Sequence, residues 1–238
     1  MHPPATDKEE FNAKISEICG LHAEAETLAR QGVHLVSVDE KTGIQALERE
    51  VTPMKPGQAE RPDHSYERHG TQCLIANLEI GTGKIIAPTV SDTRTEQDFL
   101  NHIKNTIAQH PDDKWIFIMD QLNTHKSESL VKFIAEYCNI TQDLGEKGKS
   151  GILKNMESRA TFLTDPDHKI RIVYTPKHAS WLNQIECWFS ILVRRLLKRL
   201  VTKSVEELKQ KILDFIQYYN KFLAKIFKWN FKGFSPET

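Results

Sequence analysis

Three acidic residues, far apart in the chain, occupy positions from which carboxylates can hold a metal ion. Asp39 directly follows a β-branched run, and Asp120 directly follows a continuous apolar run. Glu186 lies in a long amphipathic segment. Three carboxylates can hold two divalent ions about 4 Å apart, which activate a nucleophilic oxygen and stabilise a leaving one. These residue types therefore indicate metal-dependent phosphodiester chemistry, provided that the fold brings them together.

The elements that must position these residues alternate between strand and helix patterns. Continuous apolar runs suit strands that are covered on both faces, and apolar residues three or four positions apart indicate helices. The turn Gly81-Thr82-Gly83 favours a hairpin. The predicted strands are 33–38, 71–78, 84–90, 114–119 and 169–174, and the predicted helices are 7–30 (one or two), 95–109, 126–138, 180–200 and a last one capped by Ser204 and Glu207.

This order predicts an α/β, ribonuclease H-like fold with a five-stranded mixed sheet flanked by helices. In that topology the first and fourth strands are parallel neighbours. Asp39 and Asp120 would then end adjacent strands at a switch point, where a crevice opens. Their carboxylates would repel each other unless a cation lies between them, and Mg²⁺ prefers such oxygen ligands. Glu186 is expected to lean over the same crevice.

Each of these residues also has a plain structural interpretation. An aspartate at a strand end often forms a turn or caps a helix, and a helical glutamate is usually a solvated surface residue. His64 and His69 suggest zinc, but neither has a cysteine or carboxylate partner at a suitable spacing, so loop histidines are the simpler interpretation.

The charge distribution is uneven although the formal net charge is zero. Residues 170–238 hold 13 Lys and Arg against 5 Asp and Glu. This basic third could face a phosphate backbone or be a solvated helical surface. Within it, the basic residues at one end of the predicted long helix are Arg194, Arg195, Lys198 and Arg199. They could bind phosphates or complement the helix dipole.

The composition favours a cytoplasmic globular protein. The four cysteines are scattered without a C-x-x-C pair, which fits reduced thiols and excludes a zinc ribbon. No run reaches the roughly 18 apolar residues that a membrane helix needs, so no membrane partner is expected.

Longer motifs surround the three carboxylates. The block 38–49 (VDEKTGIQALER) resembles the first catalytic block of bacterial insertion-sequence transposases of the mariner superfamily, and 68–71 (RHGT) resembles the next. The block 119–126 (MDQLNTHK) is similar to their second aspartate block. The block 175–186 (TPKHASWLNQIE) resembles the third, where glutamate completes a DDE triad. The resemblance extends from about residue 33 to residue 231.

This resemblance implies a metal-dependent DNA endonuclease that cuts at element ends and joins the freed 3′-hydroxyl to target DNA, typically at a TA dinucleotide. It implies that Asp39, Asp120 and Glu186 are catalytic and bind Mg²⁺, with Mn²⁺ substituting. The implied partners are transposon ends and target DNA, with a possible homodimer. Motif neighbours expected to orient water or phosphate are Asn123, His125, His178 and Asn183.

Two departures from the family pattern define the predicted domains. Asp120 and Glu186 are separated by 65 residues, about twice the usual number, so 139–169 is interpreted as an insertion that contacts DNA or a partner, or is a surface loop. Residues 1–32 are too few for the usual helix-turn-helix reader and are expected to be a short helical segment, an incomplete DNA-binding region or a linker.

The catalytic domain would then comprise residues 33–238. The missing reader leaves open that the chain is a fragment, a truncated copy or one half of a split enzyme. It also leaves open a non-catalytic DNA-binding or oligomerisation remnant, and a nuclease of the same fold that acts on RNA–DNA hybrids remains a third alternative.

Overall fold

The apolar runs that precede Asp39 and Asp120 form the centre of a sheet. The computed structural model describes residues 5–49, 66–231 and 233. Its elements are α1 (Ala5–Arg30), β1 (Val33–Arg49), β2 (Tyr66–Glu79), β3 (Lys84–Ser91), α2 (Glu96–Ile107), β4 (Lys114–Met119), α3 (Glu128–Tyr137), α4 (Met156–Leu163), β5 (Ile170–Tyr174), α5 (Ile185–Arg195) and α6 (Val205–Phe222). None of these described helices is long and apolar enough to cross a membrane.

The five strands form one mixed sheet in the order β3-β2-β1-β4-β5. β1 pairs antiparallel with β2, and β2 pairs antiparallel with β3. β4 lies between β1 and β5 and is parallel to both. The predicted topology, with three antiparallel strands followed by two strands parallel to the first, is confirmed.

Helices cover both faces of this sheet, and strand alternation decides which side chains meet which helices. Val36, Val38 and Phe117 pack on one face with α2, α3 and α4. Leu35 and Ile118 point to the opposite face, where α1 packs. Farther along that second face, α5 and α6 pack on β1, β2 and β3. The core therefore has a helical layer on each side of the sheet.

The first strand is much longer than the sequence pattern indicates. The predicted strand 33–38 ends directly before Asp39, and the next predicted strand begins only at residue 71. β1 instead continues to Arg49, because β2 goes on pairing with it as far as Arg49↔Tyr66. Its parallel ladder with β4 stops at Ser37↔Ile118. Asp39 therefore lies two residues beyond the end of the parallel pairing and inside the strand; residues 50–65 lie outside the described residues.

The predicted domain boundary after residue 32 does not coincide with a break in packing. α1 is one helix of 26 residues. Ile15, Ile18 and Ala25 are buried in a cluster with Leu35 and Ile118 from the sheet. The helix therefore covers one face of the sheet, and interpreting it as a separate segment or linker is wrong for residues 5–30.

His22 is a buried titratable group at this helix–sheet contact. It is 6% exposed, and its Nε2 lies 2.9 Å from the Leu182 carbonyl oxygen. Burial lowers its pKa to about 4, although the hydrogen bond to Leu182 opposes the shift. The folded protein therefore keeps His22 neutral at pH values where the unfolded chain protonates it.

Replacing His22 by Gln is expected to flatten the acid side of the stability profile. The unfolded histidine titrates near pH 6.5, so this residue's contribution to the free energy of unfolding falls by about 1.4 kcal/mol per pH unit from about 6.5 down to about 4. Gln retains a donor for the Leu182 carbonyl. Urea unfolding at several pH values measures the two slopes, and parallel profiles for both proteins would contradict the assignment.

The part of the segment 139–169 from Ile152 onward packs into the core, whereas residues 141–143 and 146–151 are exposed. The helix α4 begins at a capping box formed by Asn155 and Ser158. Leu153 and Leu163 are fully buried against the cluster below α2 and α3. Arg159, 9% exposed, donates to the Lys126 carbonyl oxygen at 3.0 Å. The surface-loop interpretation is therefore wrong for this part, which supports the loop after Asp120.

The predicted long helix 180–200 is divided into three pieces. A 3-10 turn covers Ser180–Leu182, α5 covers Ile185–Arg195, and a second 3-10 turn covers Leu197–Arg199. Trp181, expected in the apolar stripe, is 47% exposed and stacks parallel to Trp229 at 6.3 Å. The break places Glu186 in the first turn of α5 instead of the middle of a long helix.

Candidate active site

Asp39, Asp120 and Glu186 line one cleft of about 360 Å³. The three predicted carboxylates are thus brought together from β1, the loop after β4 and the start of α5. The residues around the cleft are Asp39, Glu40, Lys41, Thr42, Asp120, Thr175, Ser180, Asn183, Glu186 and Phe189.

Strand alternation explains why the two aspartates share a side of the sheet. Ser37 and Ile118 are register partners at the end of the parallel ladder. Asp39 and Asp120 each lie two residues further along, so they follow the same alternation. Ile118 packs on the face that carries α1, and the Ser37 hydroxyl accepts from the Ile185 N–H at 2.9 Å. Both carboxylates therefore belong to the face that carries α5 and Glu186.

Asp39 is in an unfavourable position for a negative charge. Burial raises its pKa to about 7, and the charges of Asp120 and Glu186 add to the shift. The Glu40 N–H donates to its Oδ1 at 2.7 Å and, with the charge of His125, opposes the shift. The carboxylate thus lies near two others of the same charge, a situation that a bound cation relieves.

Asp120 is held by a buried histidine. Burial raises the pKa of Asp120, but the hydrogen bond and charge of His125 outweigh it and lower the pKa overall. His125 Nδ1 lies 2.8 Å from Asp120 Oδ1, and its Nε2 lies 3.8 Å from Glu40 Oε1. Burial lowers the pKa of His125, but its contacts with Asp120 and Glu40 raise it to about 9. An imidazolium therefore lies between the two carboxylates and fixes the Asp120 side chain.

Glu186 is positioned by an anchor between α5 and β1. Asn183 is 2% exposed; its Oδ1 accepts from the Ser37 hydroxyl, and its Nδ2 donates to the Val38 carbonyl oxygen at 2.9 Å. The Asn183 carbonyl oxygen accepts from the Glu186 N–H at 3.1 Å. Glu186 itself is exposed, so the first turn of α5 presents a solvated carboxylate to the cleft from a fixed backbone.

The four motif neighbours differ in their contacts, and the role expected for them stays a prediction. Asn183 lines the cleft and bonds to Ser37 and to the Val38 backbone. His125 contacts Asp120, whereas Asn123 and His178 are exposed. His178 has a φ of 63°, which places the exposed turn before α5 in the left-handed region.

Sequence analysis missed two residues that complete the site. Glu40 is 4% exposed at its side chain and faces His125, and Ser37 joins β1 to α5. Both flank Asp39 within the predicted strand and first motif. Their only available signal was polarity next to a buried run, which gives no indication of partners from distant parts of the chain.

The weaker candidates are also placed by the structure. His69 Nε2 lies 3.0 Å from Glu48 Oε2, so His69 does have a carboxylate neighbour that the sequence spacing did not indicate; His64 lies outside the described residues. The four basic residues at the end of the predicted long helix are all exposed: Arg194, Arg195, Lys198 and Arg199.

Two buried parallel strands lead to a cleft that is lined by carboxylates, and the first turn of a helix supplies the third carboxylate. These are features of a metal-dependent nuclease fold. The chain belongs to the DDE superfamily endonuclease family, whose model matches residues 34–209. A comparison with curated proteins found no match.

The fold is similar to that of solved Mos1 proteins. The Mos1 mariner paired end complex with Mn has a TM-score of 0.51 and 12% identity over 91% of this chain, which spans 56% of that protein's length. The catalytic domain of Mos1 mariner transposase has a TM-score of 0.48 and 12% identity, with 91% of this chain and 84% of that one covered. The Mos1 transposase catalytic domain with Raltegravir and Mg has a TM-score of 0.47 and 11% identity, with 91% and 85% covered. The match to the paired end complex, with its TM-score of 0.51 at 12% identity, shows a likeness of fold alone.

Proposed function

We propose that this protein is the catalytic part of an insertion-sequence transposase that cuts DNA and joins the freed 3′-hydroxyl to target DNA. Asp39, Asp120 and Glu186 hold Mg²⁺, for which Mn²⁺ substitutes. The observation that carries the proposal is the convergence of these three carboxylates in one cleft of a DDE endonuclease fold.

The donor set fits divalent metal ions. Three carboxylates supply only oxygen ligands, which suit Mg²⁺ and Mn²⁺. When bound, the ions activate the attacking oxygen and stabilise the leaving one. The protein contributes position: β1 fixes Asp39, the His125 contact fixes Asp120, and the Asn183 anchor fixes the start of α5. Such preorganisation keeps the ligands close to their bound geometry before DNA arrives.

Basic residues next to the cleft support DNA as the substrate. At about 1.5 Å per residue, Arg194 lies roughly 12 Å along α5 from Glu186. Exposed Lys and Arg at that end can contact phosphates on either side of a bond held at the cleft. Lys41 lines the cleft itself. We infer that the partners are transposon ends and target DNA, and that two copies act together, as the paired end complex of the similar fold suggests.

The extent of the catalytic domain follows from the packing of α1 on the sheet. Because α1 contributes to the core, we infer that the catalytic domain includes residues 5–30 as well as the part after residue 33, and that 139–169 supports the metal site.

The four cysteines, all within the described residues, are free thiols. Free thiols fit a reducing compartment, and we infer that the protein acts in the cytoplasm.

The proposal is tested by incubating the protein with supercoiled plasmid and a labelled duplex that carries a 3′-hydroxyl end. With Mg²⁺ or Mn²⁺ we expect nicked plasmid and transfer of the label into it, and with EDTA we expect neither. An RNA–DNA hybrid serves as a second substrate, and its selective cleavage would replace the transposase assignment by that of a hybrid-specific nuclease.

A non-catalytic remnant predicts a different pattern. It would bind the plasmid equally well with and without metal and leave it intact. Full binding with no nicking in either metal would therefore contradict the proposed function and favour the remnant.

A further inference from the structure

A second group of metal-ligating side chains lies at the opposite end of the sheet from the cleft. Asp39 and Asp120 lie beyond the carboxyl end of the parallel ladder, whereas His34 is near its start, where His34 pairs with Trp115. The turn before β4 contributes His110 and Asp113. Two histidines and an aspartate thus meet at the amino ends of β1 and β4, far from the proposed catalytic carboxylates.

The ligand atoms of this group are already close together. One ring nitrogen from each histidine and an Asp113 carboxylate oxygen all lie within 4.8 Å of one another. Asp113 Oδ2 is 3.0 Å from His34 Nε2 and 3.9 Å from His110 Nδ1. Tetrahedral zinc with bonds of about 2.0–2.2 Å holds its ligand atoms roughly 3.4 Å apart. The rings of His34 and His110 stack with their centroids 4.8 Å apart, so rotation of the exposed His110 side chain is needed to turn its nitrogen toward a shared ion.

The other nitrogen of His34 has the partner that a metal-bound histidine needs. Glu79 Oε1 lies 2.6 Å from His34 Nδ1. A carboxylate that accepts from Nδ1–H selects the tautomer whose Nε2 lone pair is available to a metal. The His34 ring also stacks on Trp115, with the ring centroids 4.2 Å apart. The ring is thus held in one orientation.

The backbone fixes the other two ligands. The Asp113 N–H and Trp115 Nε1–H both donate to the His110 carbonyl oxygen at 3.2 Å. The Lys114 N–H donates to the Gly32 carbonyl oxygen at 3.0 Å. Gly32 has a φ of 73°, and a Cβ added there would lie 3.3 Å from Asp113 Oδ1. The backbone of the turn is therefore held against β1, which places His110 and Asp113 beside His34.

We propose that His34 Nε2, His110 Nδ1 and the Asp113 carboxylate bind one Zn²⁺ ion, with Glu79 as the positioning residue of His34. Two imidazoles and one carboxylate suit zinc, whereas Mg²⁺ prefers a purely oxygen set. Side-chain exposures of 16% for His34 and 38% for Asp113 give the ion access from solvent. The bound ion links the turn before β4 to β1 and stabilises the folded chain.

The test is calorimetric titration of the whole protein with Zn²⁺ in a large excess of Mg²⁺, which occupies the proposed catalytic site. We expect one Zn²⁺ per chain and a rise in the unfolding temperature. His110→Ala, at an exposed position, should weaken Zn²⁺ binding by about a hundredfold or more, which exceeds the roughly 10–100-fold cost of losing a second-shell partner. Glu79→Gln should fall within that smaller range and keep the stoichiometry.

Two control variants assign the ion to this group. His69→Ala removes the histidine of another cluster, with Glu48 and Glu67, and should leave Zn²⁺ binding unchanged. Asp120→Asn should also leave it unchanged, so the result does not depend on the proposed transposase activity. The absence of Zn²⁺ binding to the wild type, equal affinity in His110→Ala, or loss of binding in either control would overturn the proposal.

Discussion

DNA cleavage is expected to fall by about a thousandfold or more when Asp120 is replaced by Asn, because several kcal/mol of metal-borne charge stabilisation are lost with the carboxylate. The amide keeps the size of the side chain but loses the charge that balances a divalent ion. Asp167→Asn removes one charge from an exposed position outside the cleft and should cleave at the wild-type rate. The rate of plasmid nicking in Mg²⁺ measures both variants.

Glu186→Gln tests the metal site through a second carboxylate, and it is also expected to abolish DNA nicking. Glu186 is exposed in the first turn of α5, and Glu206 is exposed in the first turn of α6. Both substitutions remove a charge that favours a helix N-terminus, but Glu186→Gln also removes repulsion with Asp39, so it should be the less destabilising of the two. Only Glu186→Gln should abolish nicking. Equal activity in the two variants, with both folded, would remove Glu186 from the metal site.

The second large effect is expected on the free energy of unfolding when His125 is replaced by Ala. This side chain is fully buried between Glu40 and Asp120, and its ring packs on Phe99 with the centroids 4.2 Å apart. His125→Ala removes the cation between Asp120 and Glu40, and among the described residues the Glu40 carboxylate, 4% exposed, keeps only the Arg94 guanidinium, which is 57% exposed and lies 3.6 Å from its Oε2. Removing one partner of a buried ion pair costs about 3–5 kcal/mol. Denaturant unfolding of the two proteins gives the difference in free energy of unfolding.

A double substitution separates the effect of the changed Glu40 ion pairing from the effect of losing the packing of the His125 ring. In the wild type, Glu40→Gln should destabilise the protein, since it removes the partner of the imidazolium. In the His125→Ala background the same change should destabilise the protein less than in the wild type, since of the described cations only the exposed Arg94 then faces the buried carboxylate. The two Glu40→Gln effects are thus expected to differ by the coupling between Glu40 and His125. If it destabilises both backgrounds equally, Glu40 and His125 do not interact.

Prediction from the sequence succeeded where a signal is local. The continuous apolar run of β4 identified a buried strand and located Asp120 beside its end. Ser204 was predicted to cap α6, and its hydroxyl accepts from the Glu207 N–H at 3.0 Å. The other half of the predicted capping box differs, because Glu207 Oε2 accepts from the Lys203 N–H and not from that of Ser204.

The errors occurred where a distant partner decides the outcome. Polar residues after Asp39 gave no indication of a continuing strand, yet β2 supplies hydrogen bonds that extend β1 to Arg49. The helical pattern 180–200 ran without interruption through Asn183, but the bonds from Asn183 to Ser37 and Val38 start α5 only at Ile185. Local pattern thus identified the types of element, and contacts between elements set their ends.

The sequence by itself determined the order of elements, the mixed sheet and the three carboxylates, because hydrophobic periodicity and motif residues are properties of short stretches of chain. Only the tertiary structure decided that α1 belongs to the core, that Glu40 and Asp120 share the His125 imidazolium, and that His34, His110 and Asp113 meet. These contacts join residues up to 160 positions apart, and their free energy depends on burial and distance, which exist only once the chain has folded.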